Sequence, residues 1–306
     1  MSVTPADSSA SRLGFIRDLA AQLRVHHWVK NVLVLVSPLA AHALFDPQVL
    51  RNVGFVFAAF CAAASGVYVV NDLLDIRADR AHPRKRSRPL ASGRLPIAGA
   101  AVIGPMLMAL GIGTAFYISV PTGGVLVAYV IVSMAYSMYL KTQPLVDVFA
   151  LSVLYTLRVF AGEVAAQIEL SIWLLSFSGF MFLSLAFLKR MAEYHAMLRA
   201  KNTYETRRGY RPADLEMLKI MGVSASYIAA MVLGLYISTT NAAHQYGRPL
   251  LLWAAVPIFL FWQSRMWLAA SRGFMHDDPI VYAARDWVSQ LCLALLLGVY
   301  AFATLL

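Results

Sequence analysis

Long apolar runs separated by short polar gaps restrict this chain's fold more than any other feature. A run of roughly 17 to 25 residues is long enough to cross a bilayer as a helix. Nine such runs stand out, at 29–45, 53–71, 97–119, 122–140, 145–162, 171–189, 218–239, 249–269 and 287–305. Water is absent at membrane depth, so each backbone group must find its partner within its own segment, and the runs are expected as helices. The predicted fold is all-α, a polytopic membrane protein built as a bundle of about nine transmembrane helices. Residues 1–22 are expected as a flexible cytoplasmic N-terminus and 23–306 as a single transmembrane domain. Composition agrees: only 14% of residues are charged, against about 25% in soluble domains. The first run is the least regular, since it opens with Lys30 and Asn31 and contains Pro38. Several gaps are short enough to require tight antiparallel hairpins.

The formal charge of +10 would suggest nucleic acid in a soluble protein. Here the basic residues gather in the gaps, as membrane topology predicts, and no nucleic-acid partner is expected. With the N-terminus in the cytoplasm, the cytoplasmic parts are 12–30, 72–96, 141–144, 190–217 and 270–286 with their flanks. Of 26 Lys and Arg residues, Arg51, Arg158 and Arg248 alone fall elsewhere. A shift by one span would scatter that bias, so the C-terminus is expected outside. The first apolar run lacks a small-residue cleavage signal, and no removable signal peptide is expected. Cys61 and Cys292 lie in apolar segments and read as buried thiols, not as a disulfide or a metal site.

The chemistry is concentrated at the cytoplasmic ends of the spans. Asn71 is followed by Asp72, Asp75 and Asp79, directly after an apolar run. On a helix these three carboxylates share one face. Like charges at this density call for a cation, and hard oxygen ligands suit Mg2+ carrying a phosphorylated ligand. A basic run follows, with Arg84, Lys85, Arg86 and Arg88. Arginine forks fit phosphate oxygens, although a topology signal would also account for the run. Gly93 and Pro96 mark a turn before the next span.

Arg24, Trp28, Lys30 and Asn31 form a further polar stretch. Two readings stand for it, an interfacial anchor and a phosphate-binding role for Lys30 and Asn31. Tyr136 and Lys141 close one span and Asp147 opens the next. Lys141 is either a snorkelling terminal residue or a phosphate ligand, and Asp147 could complete a metal shell or orient a sugar hydroxyl. Arg158, within a span, needs a partner, with Glu163 the expected one. Lys189 and Arg190 end another span, and Glu193 is spaced to share their helix face. The loop carrying Tyr204, Glu205, Arg207, Arg208 and Tyr210 could cover a polar site. Farther on, Asp278-Pro279 reads as a helix start, and Arg285 and Asp286 as rim residues.

These residues carry a resemblance. The Asn-Asp-x-x-Asp-x-x-x-Asp pattern of Asn71–Asp79, at the end of the second span, resembles the UbiA superfamily of intramembrane prenyltransferases. Trp28 to Asn31, Asn71 through Pro89 with Gly93, Tyr136-Ser137 with Leu140-Lys141, and Lys189-Arg190 with Glu193 resemble its decaprenyl-phosphate phosphoribosyltransferase branch more narrowly. Ordinary members carry a second Asp-x-x-x-Asp cluster, but here Asp147 is followed at that spacing by Leu151. The resemblance implies transfer of 5-phosphoribose from 5-phosphoribosyl diphosphate to a polyprenyl phosphate, with release of diphosphate. The alternative is movement of a prenyl chain from its diphosphate to an aromatic acceptor. A transporter would favour inverted repeats and midplane charges, which are not evident. The resemblance implies that Asp72, Asp75 and Asp79 hold Mg2+, with Lys30, Lys141 and Asp147 at the reacting groups. It further implies Asn71, Arg84, Arg86, Arg88, Tyr136, Lys189 and Arg190 around the phosphates. A bacterial cytoplasmic membrane, surrounding lipids as partners and a glycolipid pathway of the cell envelope fit this reading, and a homo-oligomer is compatible with it.

Overall fold

The computed structural model describes residues 5–82, 85–199, 209–239, 246–275 and 278–305, with side chains at 14–82, 85–195, 209–239, 246–275 and 278–304. The described residues are helical and contain no strand. Eight of their helices are long and apolar enough to cross a membrane, one fewer than the nine expected.

The difference lies in the first run. Residues Val25–Leu35 form a 3-10 helix that continues into the short helix α2 (Val36–Ala40). A 3-10 helix rises about 2.0 Å per residue. Its eleven residues therefore reach about 22 Å, and the five of α2 add about 7.5 Å. Laid end to end, these tightly wound segments approach the hydrocarbon thickness of about 30 Å without forming one long α-helix. The N-terminal stretch carries helix α1 (Pro5–Gln22), whose later part is tied down by an Asp18–Arg94 ion pair at 2.8 Å and by Gln22 on Asp72 at 3.0 Å.

The chain divides into two compact units, Met1–Met138 with Leu157–Leu170, and Tyr139–Thr156 with Ser171–Leu306. The first unit holds α3 (Pro47–Leu74), α4 (Ile76–Ala81), α5 (Ile97–Ile118) and α6 (Val120–Met138). Asp46 starts α3 by accepting from the N–H groups of Gln48 and Val49, with Pro47 in the first helical position, where its missing N–H costs nothing. Between α3 and α5 the side chains are small. A Cβ on Gly66 would stand 2.6 Å from the Gly104 carbonyl oxygen, and one on Gly111 would stand 2.6 Å from that of Ala59. Close backbone approach of this kind supplies the packing that hydrophobicity cannot drive between helices in lipid. Ser119 alone joins α5 to α6, the tight hairpin that the short gap implied. The expected turn before α5 is also present, with Gly93 at φ 80° and Pro96 capping the helix.

Helix α7 (Val146–Ala166) begins in the second unit and ends in the first. Its final part packs on the 3-10 segment, where Ser37 Oγ donates to the Val159 carbonyl at 2.9 Å. A Cβ on Gly162 would overlap the Val34 carbonyl oxygen. Gly162→Ala is therefore expected to lower stability by about 1–3 kcal/mol through overpacking. Gly113→Ala, where a Cβ meets nothing within 4 Å, should be neutral or stabilising by up to about 1 kcal/mol. Thermal unfolding of the two variants in detergent makes the comparison.

The second unit contains α8 (Ile172–Arg199), α9 (Asp214–Ile237), a 3-10 turn (Pro249–Ala254) running into α10 (Ala255–Ser271), α11 (Pro279–Arg285) and α12 (Trp287–Leu305). Its main core joins Val148, Phe187, Leu188, Met191, Met266 and Trp267. The Trp267 indole N–H reaches Ser184 Oγ at 3.0 Å, which satisfies the one polar atom of a buried ring. Asp278 caps α11 with Pro279 next to it, as the sequence pattern implies. Cys61 and Cys292 are buried free thiols.

Candidate functional site

Asp72 lies two residues before the end of α3. The helix does not continue through the acidic motif. Asp75 caps α3 with φ −88° and ψ 3°, and α4 starts at Ile76. This break corrects the expectation of three carboxylates on one continuous face. Asp72 and Asp79 are both buried, while Asp75 is half-buried at the hinge. Among the described residues, no three His, Cys, Asp or Glu side chains are grouped to hold a metal ion.

The structure does bring Asp72 and Asp79 together, through a cation. Arg88 Nη1 donates to Asp72 Oδ1 at 3.0 Å and to Asp79 Oδ2 at 2.6 Å. Arg24 Nη2 donates to Asp72 Oδ1 at 2.8 Å, and Gln22 Nε2 to Asp72 Oδ2 at 3.0 Å. Lys85 Nζ lies 3.7 Å from Asp79 Oδ1. One positive nitrogen thus touches oxygens of both carboxylates. That geometry fits a shared hard cation, because Mg2+ commonly takes one or two carboxylates and completes its shell with substrate phosphates and water.

Gln22 and Arg24 were not singled out from the sequence as partners of Asp72. The available signal was only the position of Arg24 in a polar stretch. Its backbone is left-handed, at φ 52° and ψ 47°, a conformation costly for a residue with a Cβ. The Asp72 ion pair and the Tyr68 ring, 4.5 Å from the Arg24 guanidinium carbon, hold it there. Trp28 donates to Ser65 Oγ, which donates to the Leu23 carbonyl, so the 3-10 segment is tied to α3.

Lys30 and Asn31 are buried. Asn31 Oδ1 accepts from Arg158 Nε at 2.9 Å and its amide donates to Cys61 Sγ at 3.3 Å. Arg158 also donates to the Tyr129 hydroxyl at 2.8 Å and lies over that ring. Glu163 was the partner expected for Arg158. The structure gives Arg158 two partners from other elements, Asn31 and Tyr129, so Asn31 and Arg158 belong to one buried polar link. Asn71 contributes its carbonyl, which accepts from the Asp75 N–H at 3.0 Å. Tyr136 on α6 is half-buried and Arg86 is exposed. Arg84, like Tyr204, Glu205, Arg207, Arg208, His276 and Asp277, lies outside the described residues.

A second polar cluster is built within the second unit. Asp147, at the start of α7, is 0% exposed. Arg190 Nε stands 2.6 Å from its Oδ2, and Arg190 Nη1 stands 2.5 Å from Glu193. The Tyr210 hydroxyl donates to Asp147 Oδ1 at 2.5 Å and accepts from the Leu145 N–H at 2.8 Å. The segment before α9 is thereby fastened to the turn before α7. Nearby in the chain, Lys189 pairs with Asp278 at 2.7 Å, and Arg265 grips Asp286 with both terminal nitrogens. Asp286 therefore anchors α12 to α10, while Lys141 is half-buried in a 3-10 turn (Leu140–Thr142).

Burial raises the Tyr210 hydroxyl pKa, and its hydrogen bond to Asp147 raises it further. A group raised on folding adds stability that is whole below its unfolded pKa and fades as pH climbs through the folded value. Wild-type stability should therefore start to fall above pH ~10, the unfolded tyrosine value, whereas Tyr210→Phe should lack this component. At neutral pH that variant should lose about 1–2 kcal/mol for two hydrogen bonds. Melting temperatures between pH ~8 and ~11 test both statements.

Eight membrane-length helices and a buried acid pair ringed by cationic side chains define a polytopic membrane protein with an acidic site at a helix end. The chain belongs to the UbiA prenyltransferase family, which matches residues 32–274, and it is an enzyme of that family. It is 35% identical over 278 residues to nodulation protein NoeC of Azorhizobium caulinodans, covering 90% of each chain. It is 38% identical over 235 residues to decaprenyl-phosphate phosphoribosyltransferase of Corynebacterium glutamicum, covering 73% of this chain and 70% of that one. Protein y4nM of Sinorhizobium fredii is 34% identical over 290 residues, which cover 94% of this chain. The match spans little more than half of y4nM, 56% of its length. The fold is similar to that of a UbiA homolog from Archaeoglobus fulgidus solved with GPP and Mg2+, with a TM-score of 0.68 at 16% identity over 92% of this chain and 99% of that one.

Proposed function

We propose that the protein transfers 5-phosphoribose from 5-phosphoribosyl diphosphate to a polyprenyl phosphate at the cytoplasmic face of a bacterial inner membrane. The observation that carries this reading is the acid pair on the Arg88 nitrogen. Asp72 and Asp79 share one cation position. Asp147, the candidate for a second cluster, has Leu151 at the following motif position and is engaged by Arg190 and Tyr210. One acidic pair among basic side chains suits one metal-bound diphosphate. The Corynebacterium glutamicum relative, by its name, supports phosphoribosyl transfer, and the distribution of Lys and Arg supports a cytoplasmic N-terminus and site.

In this reading Asp72 and Asp79 hold Mg2+, with Asp75 at the hinge able to add an oxygen. Bound there, the metal supplies charge stabilisation for the departing diphosphate. A phosphate oxygen of the lipid attacks the anomeric carbon. The new carbon–oxygen bond forms as the bond to diphosphate breaks, and diphosphate leaves with the electron pair. The attacking phosphate is already ionised, so no general base is required. Lys30, Arg84, Arg86, Arg88, Lys141 and Lys189 are assigned to donor or acceptor phosphates, and Asn71 and Tyr136 to the rim. Arg190 acts through Asp147. Positioning and electrostatics would supply most of the rate.

The second reading, prenyl transfer to an aromatic acceptor, draws support from the fold shared with a homolog bound to GPP. A direct assay separates the two. Purified protein with Mg2+, polyprenyl phosphate and 5-phosphoribosyl diphosphate should form lipid-linked phosphoribose. A parallel reaction with prenyl diphosphate and an aromatic acid should yield nothing. The reverse pattern would overturn the proposal.

A further inference from the structure

Asp72 and Asp79 face one shared cation position, and in this structure a guanidinium nitrogen takes that place. We propose that Arg88 is an exchangeable stand-in for the metal. It closes Asp72 and Asp79 to a divalent ion arriving alone, and it releases them when a diphosphate offers the guanidinium another partner. Metal and diphosphate then enter as a coupled pair. This deepens the proposed function and rests on its assignment of the metal to the two aspartates.

Three observations support the exchange. Arg88 Nη1 lies within 3.0 Å of Asp72 Oδ1 and 2.6 Å of Asp79 Oδ2. Mg2+ needs oxygens at about 2.0–2.1 Å, so the nitrogen and the ion cannot occupy that position together. Charge points the same way. Arg24, Lys85 and Arg88 already face the two carboxylates, so a bare divalent ion would enter a site with excess positive charge. A metal accompanied by diphosphate would not.

The third observation identifies which cation moves. Arg24 is stacked on Tyr68 and held by a left-handed backbone turn. Lys85 meets Asp79 only at 3.7 Å. Among the described residues, Arg88 is the cation that bridges both acids, and its side chain is 30% exposed. The loop that carries it is anchored by buried Leu90 and Leu95, so the side chain can swing while the backbone stays. A planar guanidinium binds phosphate oxygens in pairs, which an ammonium does not.

Mn2+ is the probe, followed by electron paramagnetic resonance of the full-length protein in detergent at matched free Mn2+, with and without inorganic diphosphate. Wild type should bind Mn2+ weakly alone and ~10-fold more tightly with diphosphate. Arg88→Gln should bind Mn2+ alone ~10-fold more tightly than wild type and lose most of the diphosphate effect. Arg88→Lys keeps the charge, so it should still exclude Mn2+ alone, yet gain little from diphosphate. Asp72→Asn should remove binding in each background. If Arg88→Gln binds Mn2+ no better than wild type while Asp72→Asn still abolishes binding, the exchange is wrong and the aspartate site stands. If Asp72→Asn leaves Mn2+ binding intact, the metal assignment fails and the exchange fails with it.

Discussion

Asp72→Asn is expected to reduce formation of lipid-linked phosphoribose by ~10²–10³-fold, the scale seen when a preorganised electrostatic contact to the developing charge is removed. The substitution keeps the side chain's shape and one accepting oxygen for Arg24 and Arg88, while Gln22, which now donates to Oδ2, must turn its own amide oxygen toward the new NH2 group, and the chain should stay folded. Asp79→Asn should have a similar effect, because Asp79 is the other carboxylate on the Arg88 nitrogen. Asp75→Asn should cost less, since Asp75 is the half-buried cap at the helix break. Initial rates measured beside melting temperatures would give this ranking. Normal turnover by a folded Asp72→Asn protein would remove the central assignment.

The largest expected stability effect lies in the second unit. Arg190→Met leaves the Asp147 carboxylate, 0% exposed, without the guanidinium that faces it at 2.6 Å. Breaking one side of a buried ion pair typically costs about 3–5 kcal/mol, because the remaining charge loses its counter-ion where water does not reach it. Removing both charges, in Arg190→Met with Asp147→Leu, should restore most of that loss, although Tyr210 then loses its acceptor. Chemical or thermal unfolding of the two single variants and the double variant gives the coupling. A double variant as unstable as Arg190→Met would show that the uncompensated carboxylate is not the cause.

Both predictions combine information of two kinds. The acidic motif, the membrane-length runs and the helix start at Asp278-Pro279 are legible because each is local. A hydropathy run needs only its own residues, and an Asp-Pro cap needs only the first turn that follows. The Arg190–Glu193 pair belongs here too, since i and i+3 meet on any helix. The broken helix at Asp75 was not legible in this way. Regular spacing implied one face, whereas the chain turns at Asp75 and restarts at Ile76. The first apolar run was similarly misleading, because hydropathy registers that a segment is apolar without distinguishing 3-10 from α winding.

Apolar length and charge spacing act within one segment, so they already specify a helical membrane protein with an acidic motif at the end of a span. Tertiary structure alone decided which cations hold the acids. Gln22 and Arg24 reach Asp72 across 50 and 48 residues, and Tyr210 reaches Asp147 across 63. No periodicity encodes such meetings. They depend on how helices pack and loops close, and burial then makes each pairing energetically necessary because an ion away from water must find its partner in the fold.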